Sequence, residues 1–253
     1  MKTTNLDKRI NILIPMAGRG SRFADAGYAF PKPLIDVHGK TMIEVVTENL
    51  KPTSPFRFVF VCQREHYEKF DLHNILKNAT GNNFEVVLLD GITEGAACTA
   101  LLAKKYLASD EELLIANSDQ FIEGDIQDFI DSARSKNLDG LIMTFEASHP
   151  KWSYARVNDK NEVIEVAEKK VISNKATVGI YYYKTGKSFI EGAESMIKKN
   201  IRHQNEFYVC PVYNELILSG KNISIYEIQT NKMHGLGTPE DLQEFLKLDL
   251  VKN

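Results

Sequence analysis

The sequence has no apolar run approaching the roughly 18 residues that a membrane-spanning helix needs. Its N-terminal stretch Met1-Lys2-Thr3-Thr4-Asn5 has no apolar core of the kind a secretory signal carries, so the expected location is cytoplasmic. A net charge of −3 provides no global attraction to nucleic acid or to an anionic membrane, and neither is expected as a partner. Cys62, Cys98 and Cys210 are odd in number, widely separated and set among apolar residues, with no C-x-x-C pair. They read as reduced core thiols, not as a disulfide framework or a cysteine metal site. Low-complexity segments, internal repeats and Pro/Gly/Ser-rich linkers are all missing, and no Ser-His-Asp or Cys-His arrangement is visible.

What the chain does have is alternation. Strand-like runs at Ile10 to Met16, Phe58 to Cys62, Phe84 to Leu89, Leu113 to Asn117 and Leu141 to Phe145 are separated by helical patterns. The helices are expected over Met42 to Leu50, Glu65 to Lys77, Ala96 to Leu107 and Asp125 to Lys136. This order predicts an α/β fold with a mostly parallel sheet and ligands at the carboxyl ends of its strands. After Glu146 the pattern changes to a hairpin, Tyr154 to Val157 with Val163 to Val166, and a strand from Thr177 to Tyr183. Helices at Lys187 to Lys199 and Tyr208 to Leu218, a strand Ile223 to Ile228 and a helix Pro239 to Leu248 follow. With no linker, residues 1–253 read as one domain whose two halves, about 1–146 and about 147–253, build onto the same sheet.

The first strand empties into Met16-Ala17-Gly18-Arg19-Gly20-Ser21-Arg22-Phe23, followed by Pro31-Lys32-Pro33-Leu34. Glycine lets main-chain N–H groups approach phosphate oxygens, and the cationic side chains neutralise their charge. The spacing is neither G-x-G-x-x-G, since Phe23 stands at the third glycine, nor G-x-x-x-x-G-K-[ST]. Gly18, Gly20, Ser21 and Arg22 with Pro31 to Leu34 instead resemble the G-x-G-[TS]-R and P-K-P-L motifs of nucleotidyltransferases that act on sugar phosphates and related small phosphates. The resemblance implies a Rossmann-like (GT-A-like) domain with a mixed, mostly parallel central sheet flanked by helices. It also implies that a nucleoside triphosphate and a small phosphorylated acceptor are the partners, with about 1–146 the nucleotide-binding half and about 147–253 the acceptor-binding half. Arg22 would serve the β- and γ-phosphates and Lys32 the α-phosphate or the acceptor phosphate. Met16, Ala17, Arg19 and the neighbouring glycines and serine would line the nucleotide.

A carboxylate at the end of an apolar strand can hold Mg²⁺ against phosphate oxygens, and Ile115-Ala116-Asn117-Ser118-Asp119 places one there. Asp119 is therefore the candidate Mg²⁺ ligand, with Asn117 and Ser118 beside the nucleotide; a turn or capping aspartate is the plainer alternative. The stretch Leu89 to Cys98 resembles the family's base-recognition loop, in which Gly95, Ala96 and Ala97 admit a flat base, and equally reads as small residues packing a helix start. Glu168-Lys169, the strand through Gly179, and Glu206 to Asn214 resemble the acceptor pocket. On that likeness Tyr154, Glu168, Lys169, Gly179, Glu206 and Tyr208 are acceptor-side candidates, although an exposed charge pair and core aromatics would look the same.

The chain departs from the family at Met233-His234-Gly235-Leu236-Gly237-Thr238-Pro239-Glu240-Asp241. It resembles W-x-D-x-G-T-P-E-D, whose aspartate commonly helps hold catalytic Mg²⁺, but Gly235 stands at that aspartate. His234, a carboxylate elsewhere, or Asp119 alone with the nucleotide's own phosphates are the alternatives. The implied reaction is attack of an acceptor phosphate oxygen on the α-phosphorus with release of pyrophosphate, which requires no general base. The P-M-A-G-x-G-S-R-F form resembles the branch associated with capsule and surface-polysaccharide biosynthesis, and overall likeness within it points to CTP and a phosphorylated glutamine. A sugar 1-phosphate acceptor with UTP, dTTP or GTP is the alternative. A retaining glycosyltransferase would show D-x-D, and Asn117-Ser118-Asp119 lacks the first carboxylate. A non-catalytic nucleotide-binding relative is a third reading. Oligomeric state is left open, a homo-oligomer included.

Overall fold

The structure, a computed structural model, describes residues 8–251. The Met1 to Asn5 stretch considered above for a targeting signal lies outside them. The run Ile10-Asn11-Ile12-Leu13-Ile14 is buried on both of its faces. Ile12 and Ile14 enter one apolar cluster with Phe58, Phe60 and Leu114, while Leu13 enters a second with Val59, Val61 and Ile115. Each such side chain contributes about 1.5–3 kcal/mol by burial, which makes the run a central strand with helices on either side.

The strands in chain order are β1 (Ile10–Pro15), a short hairpin β2 (Asp36–Val37) and β3 (Lys40–Thr41), β4 (Phe56–Gln63), β5 (Phe84–Leu89), β6 (Glu112–Ala116), β7 (Gln120–Ile122) and β8 (Gly140–Glu146). They continue with β9 (Tyr154–Val157), β10 (Val163–Ala167), β11 (Lys175–Tyr183), β12 (Ile223–Glu227) and β13 (Met233–Gly235). A nine-stranded sheet runs β10-β9-β11-β6-β1-β4-β5, with β8 on β11 and β12 on β8. Its core is parallel, β1 pairing with β4 and β6, and β4 with β5. The other half turns about β11, antiparallel to β6, β8 and β9, so the sheet is mixed and both halves of the chain contribute to it.

Four helices differ from the sequence expectation. The Glu65 to Lys77 pattern is two helices, Arg64–Lys69 and Leu72–Thr80, broken where Asp71 takes a left-handed φ of 51°. Ala96 to Leu107 likewise divides into Ala96–Leu101 and Lys104–Leu107, with the shorter-range bonds Leu102 N–H to Thr99 and Ala103 N–H to Ala100 at the break. The helix expected from Tyr208 begins at Val212, because Pro211 disfavours helical backbone before it and cannot donate. The last helix is Pro239–Phe245, its end closing in three-residue turns. The antiparallel pair β7–β13, each three residues long, has no periodicity to betray it in the sequence, yet it carries Gly235 to a place opposite Gln120.

Candidate active site

The first wall grows from the end of β1. Met16 N–H donates to Val61 O at 2.9 Å, and the chain then leaves the sheet. Gly20 has a φ of +61°, and a Cβ there would lie 3.1 Å from Lys32 Cβ, so glycine both allows the turn and lets Lys32 approach. The short helix Ser21–Asp25 that follows is anchored by buried Phe23, edge-on to Tyr28. Gln63, at the end of β4, fastens the loop: its Nε2 donates to Ala17 O and to Gly91 O, both at 2.6 Å.

The second wall follows β6. Asn117 N–H donates to Gly179 O at 3.0 Å. Gly179 sits in a β11 irregularity with φ of +92°, where a Cβ would fall 2.2 Å from Asn117 Nδ2, so only glycine leaves room for the amide. Asp119 Oδ2 lies 2.5 Å from Lys32 Nζ. Its main-chain oxygen accepts from Leu236 N–H at 2.7 Å, which ties the Gly235 to Gly237 segment to the end of β6. Buried Gln120 donates from Nε2 to Asn117 O at 2.8 Å, while its Oε1 has no partner among the described residues.

The third wall belongs to the second half of the chain. Glu168 accepts a short hydrogen bond from Ser153 Oγ, and burial pushes its carboxyl above the ordinary range. Lys169, at a left-handed φ of 50°, donates from Nζ to the Tyr208 hydroxyl at 2.7 Å. Burial, then the hydrogen bond to Glu206, raises the Tyr208 hydroxyl, against which Arg22 acts in the lowering direction. The loop from Glu94 to Ala97 is clasped to this wall. Phe207 N–H donates to Glu94 O at 2.7 Å and Ala97 N–H to Phe207 O at 2.9 Å. Arg202 lies over the Phe207 ring and 2.5 Å from Glu94.

These walls enclose a cleft of about 470 Å³. Met16, Gly18, Gly20, Arg22, Lys32, Ala96, Asn117, Ser118, Asp119, Glu168, Gly179 and Tyr208 all line it. Ala17, Arg19, Ser21, Lys169 and Glu206 do not, and Lys169 and Glu206 bear on it through Tyr208. Three expectations need correction. Tyr154 is a core side chain, fully buried, whose hydroxyl donates to His149 O at 2.7 Å. His234 turns away from the cleft, its Nε2 2.8 Å from Glu123 Oε1 and its ring beside Phe121 and Phe245. Gly95 is explained by Phe207, whose main-chain oxygen would lie 2.5 Å from a Cβ at that position. Sequence reasoning missed Gln120, Trp152, Ser153 and Asp241 as lining residues; Gln120, at the end of the Ile115 to Gln120 segment, and Asp241 stood within motifs already under scrutiny. Cys62 and Cys210 are buried and Cys98 half-buried, and burial pushes all three thiols up, as befits unreactive packing groups.

Among relatives, the bifunctional protein GlmU of Methanocaldococcus jannaschii is 25% identical over 248 residues, covering 96% of this chain and 55% of that protein. A probable mannose-1-phosphate guanylyltransferase 1 of Oryza sativa subsp. japonica is 28% identical over 177 residues, covering 67% and 48%. The chain thus spans about half the length of these curated relatives. The crystal structure of a nucleoside-diphosphate-sugar pyrophosphorylase from Vibrio cholerae RC9 superposes with a TM-score of 0.79 at 27% identity, covering 94% of this chain and 100% of that one. The inositol-1-phosphate CTP transferase of T. maritima shares the fold, with a TM-score of 0.73, 18% identity and coverage of 98% and 99%. The nucleotidyl transferase family model matches residues 12–245, and the chain belongs to that family.

Proposed function

We propose that this chain transfers a nucleoside monophosphate from a nucleoside triphosphate to the phosphate of a small acceptor. The acceptor oxygen forms a bond to the α-phosphorus, the bond from the α-phosphorus to the bridging oxygen breaks, and pyrophosphate leaves with that electron pair. The observation that carries this reading is the convergence of the Gly18 to Gly20 loop, Arg22, Lys32 and Asp119 on one cleft whose far wall is Glu168 and Tyr208. Catalysis then rests on holding two polyanions in line and countering their charge. Lys32 exchanges Asp119 for a phosphate oxygen, and Arg22, exposed at the rim, takes the leaving phosphates. A phosphate monoester is already ionised near neutral pH, so no side chain has to remove a proton. Glu168, raised by burial, accepts a hydroxyl or amine hydrogen from the body of the acceptor.

Mg²⁺ is the proposed cofactor. The donor set suits it, because the cleft offers the hard oxygens of Asp119 and Asp241, and Mg²⁺ commonly needs one or two carboxylates beside substrate phosphates. Gly237 keeps clear the space at Asp119, since a Cβ there would lie 2.7 Å from Oδ2. Held by these carboxylates, such an ion would supply charge neutralisation to the transferred and leaving groups. The form of the opening motif favours a capsule or surface-polysaccharide pathway, and overall likeness within that branch favours CTP with phosphoglutamine as the substrate pair.

The test is an assay crossing CTP, UTP, GTP and dTTP with sugar, amino-acid and alcohol phosphates. Pyrophosphate release with at least one pair supports the proposal. Release of nucleoside diphosphate instead would indicate glycosyl transfer, and nucleotide binding with no product for any acceptor would indicate a binding relative.

A further inference from the structure

Gly235 stands where the family motif carries its second carboxylate, and the side chains around it show what occupies that place. A Cβ at position 235 would lie 3.4 Å from Asp241 Oδ2 and 3.5 Å from its Cγ. An aspartate at 235 would therefore point at the spot where the Asp241 carboxylate already sits. Two residues on, a Cβ at 237 would meet Asp119 Oδ2. The strip Gly235-Leu236-Gly237 is bare at the two places where carboxylates lean on it, and both carboxylates line the cleft.

Asp241 is not otherwise engaged. It stands in the first turn of the Pro239–Phe245 helix, where its main-chain N–H, not its carboxylate, meets the capping Thr238 Oγ1 at 3.1 Å. Among the described residues its carboxylate accepts no hydrogen bond, and its ion-pair partner is half-exposed Lys151 at 3.8 Å. An independent sign of a ligand comes from Gln120, which pairs with Gly235 across β7–β13, lines the same cleft and is 2% exposed. Its Oε1 has no donor among the described residues. A buried acceptor left so is costly, and the water on a hydrated cation is a donor that would satisfy it.

We propose that Asp241 supplies, from the following helix, the carboxylate that the chain lacks at position 235, so that Asp119 and Asp241 together hold one divalent cation against the nucleotide phosphates. This rests on reading the cleft as a metal-nucleotide site. The relocation keeps the charge of the site while letting glycine run beside Asp119.

The experiment uses Mn²⁺, read by electron paramagnetic resonance, with the full-length protein and the α,β-methylene analogues of CTP, UTP, GTP and dTTP, which cannot release pyrophosphate. In wild type, Mn²⁺ binds the protein–nucleotide complex more tightly than the nucleotide alone. Asp119→Asn and Asp241→Asn each weaken it about tenfold or more, the scale on which even indirect metal partners act. Gly235→Asp added to Asp241→Asn restores the affinity, and the thermal midpoint of Asp241→Asn matches wild type. Unchanged Mn²⁺ affinity in Asp241→Asn, with loss in Asp119→Asn, overturns the assignment and leaves the metal site standing. A wild type that adds nothing to the affinity of the nucleotide alone overturns the metal reading itself, and this one with it.

Discussion

Two ion pairs stand at opposite ends of β6, Arg134–Glu112 where the strand begins and Lys32–Asp119 just past where it finishes. At the first, both side chains are about 3–4% exposed, and the guanidinium makes contacts of 2.6, 3.0 and 3.2 Å to the Glu112 carboxylate. Tyr182 donates to the same carboxylate at 2.9 Å, and burial followed by Glu112 pushes its hydroxyl up, so it remains a donor. Arg134 also reaches Lys8 O at 3.0 Å. The second pair is a single contact between side chains 19% and 25% exposed, facing a cleft. Arginine's planar fork suits a permanent bidentate hold, whereas a lysine ammonium on a flexible stem can change partners. The opening end of β6 is fastened, and its carboxyl end is free to exchange.

The comparison can be broken most sharply from the buried side. Arg134→Met strands the Glu112 carboxylate, and urea unfolding should show a loss of about 3–5 kcal/mol while pyrophosphate release per folded molecule stays at the wild-type rate. Lys32→Met should reverse the pattern, with release falling about 10²–10³-fold and stability moving by no more than about 1 kcal/mol, because Asp119 keeps its access to water. Normal turnover in that variant would remove Lys32 from the reaction. Gly179→Ala comes next, since the methyl group collides with the Asn117 amide at a positive φ. A loss of about 1–3 kcal/mol in unfolding and a higher KM for the nucleotide are expected. The smallest effect belongs to His234→Gln, which should shift stability by about 1 kcal/mol or less and leave the Mn²⁺ affinity of the nucleotide complex unaltered. A weaker Mn²⁺ complex there would return the histidine to the metal site.

How much of this was legible beforehand depended on whether the signal was local. The apolar run of β1 and the alternation through β8 reflect burial, which marks every residue of an element, so they can be read directly. Gly20 and Lys32 were legible because a tight turn and a charge-dense ligand each demand a particular residue type. The breaks at Asp71 and Ala103 turn on the backbone angles of single residues, and the Val212 start on one proline, none of which apolar spacing records. Tyr154 was misread because a tyrosine that satisfies His149 O in the core looks, in sequence, like one that greets a ligand. Gln63 and Gln120 meet Ala17 and Gly235 across long separations, through tertiary proximity alone, and Asp241 comes back to Gly235 only because the chain turns into a helix between them.

The clasp in which Glu94 and Ala97 grip the main chain of Phe207 has a practical bearing on redesign. The stretch proposed to border the base and the stretch proposed to border the acceptor are stitched into one unit by main-chain hydrogen bonds that do not depend on side-chain identity, so they cannot be tuned separately. Libraries aimed at a new nucleotide should vary both stretches together, and screens for one substrate should track the selectivity for the other.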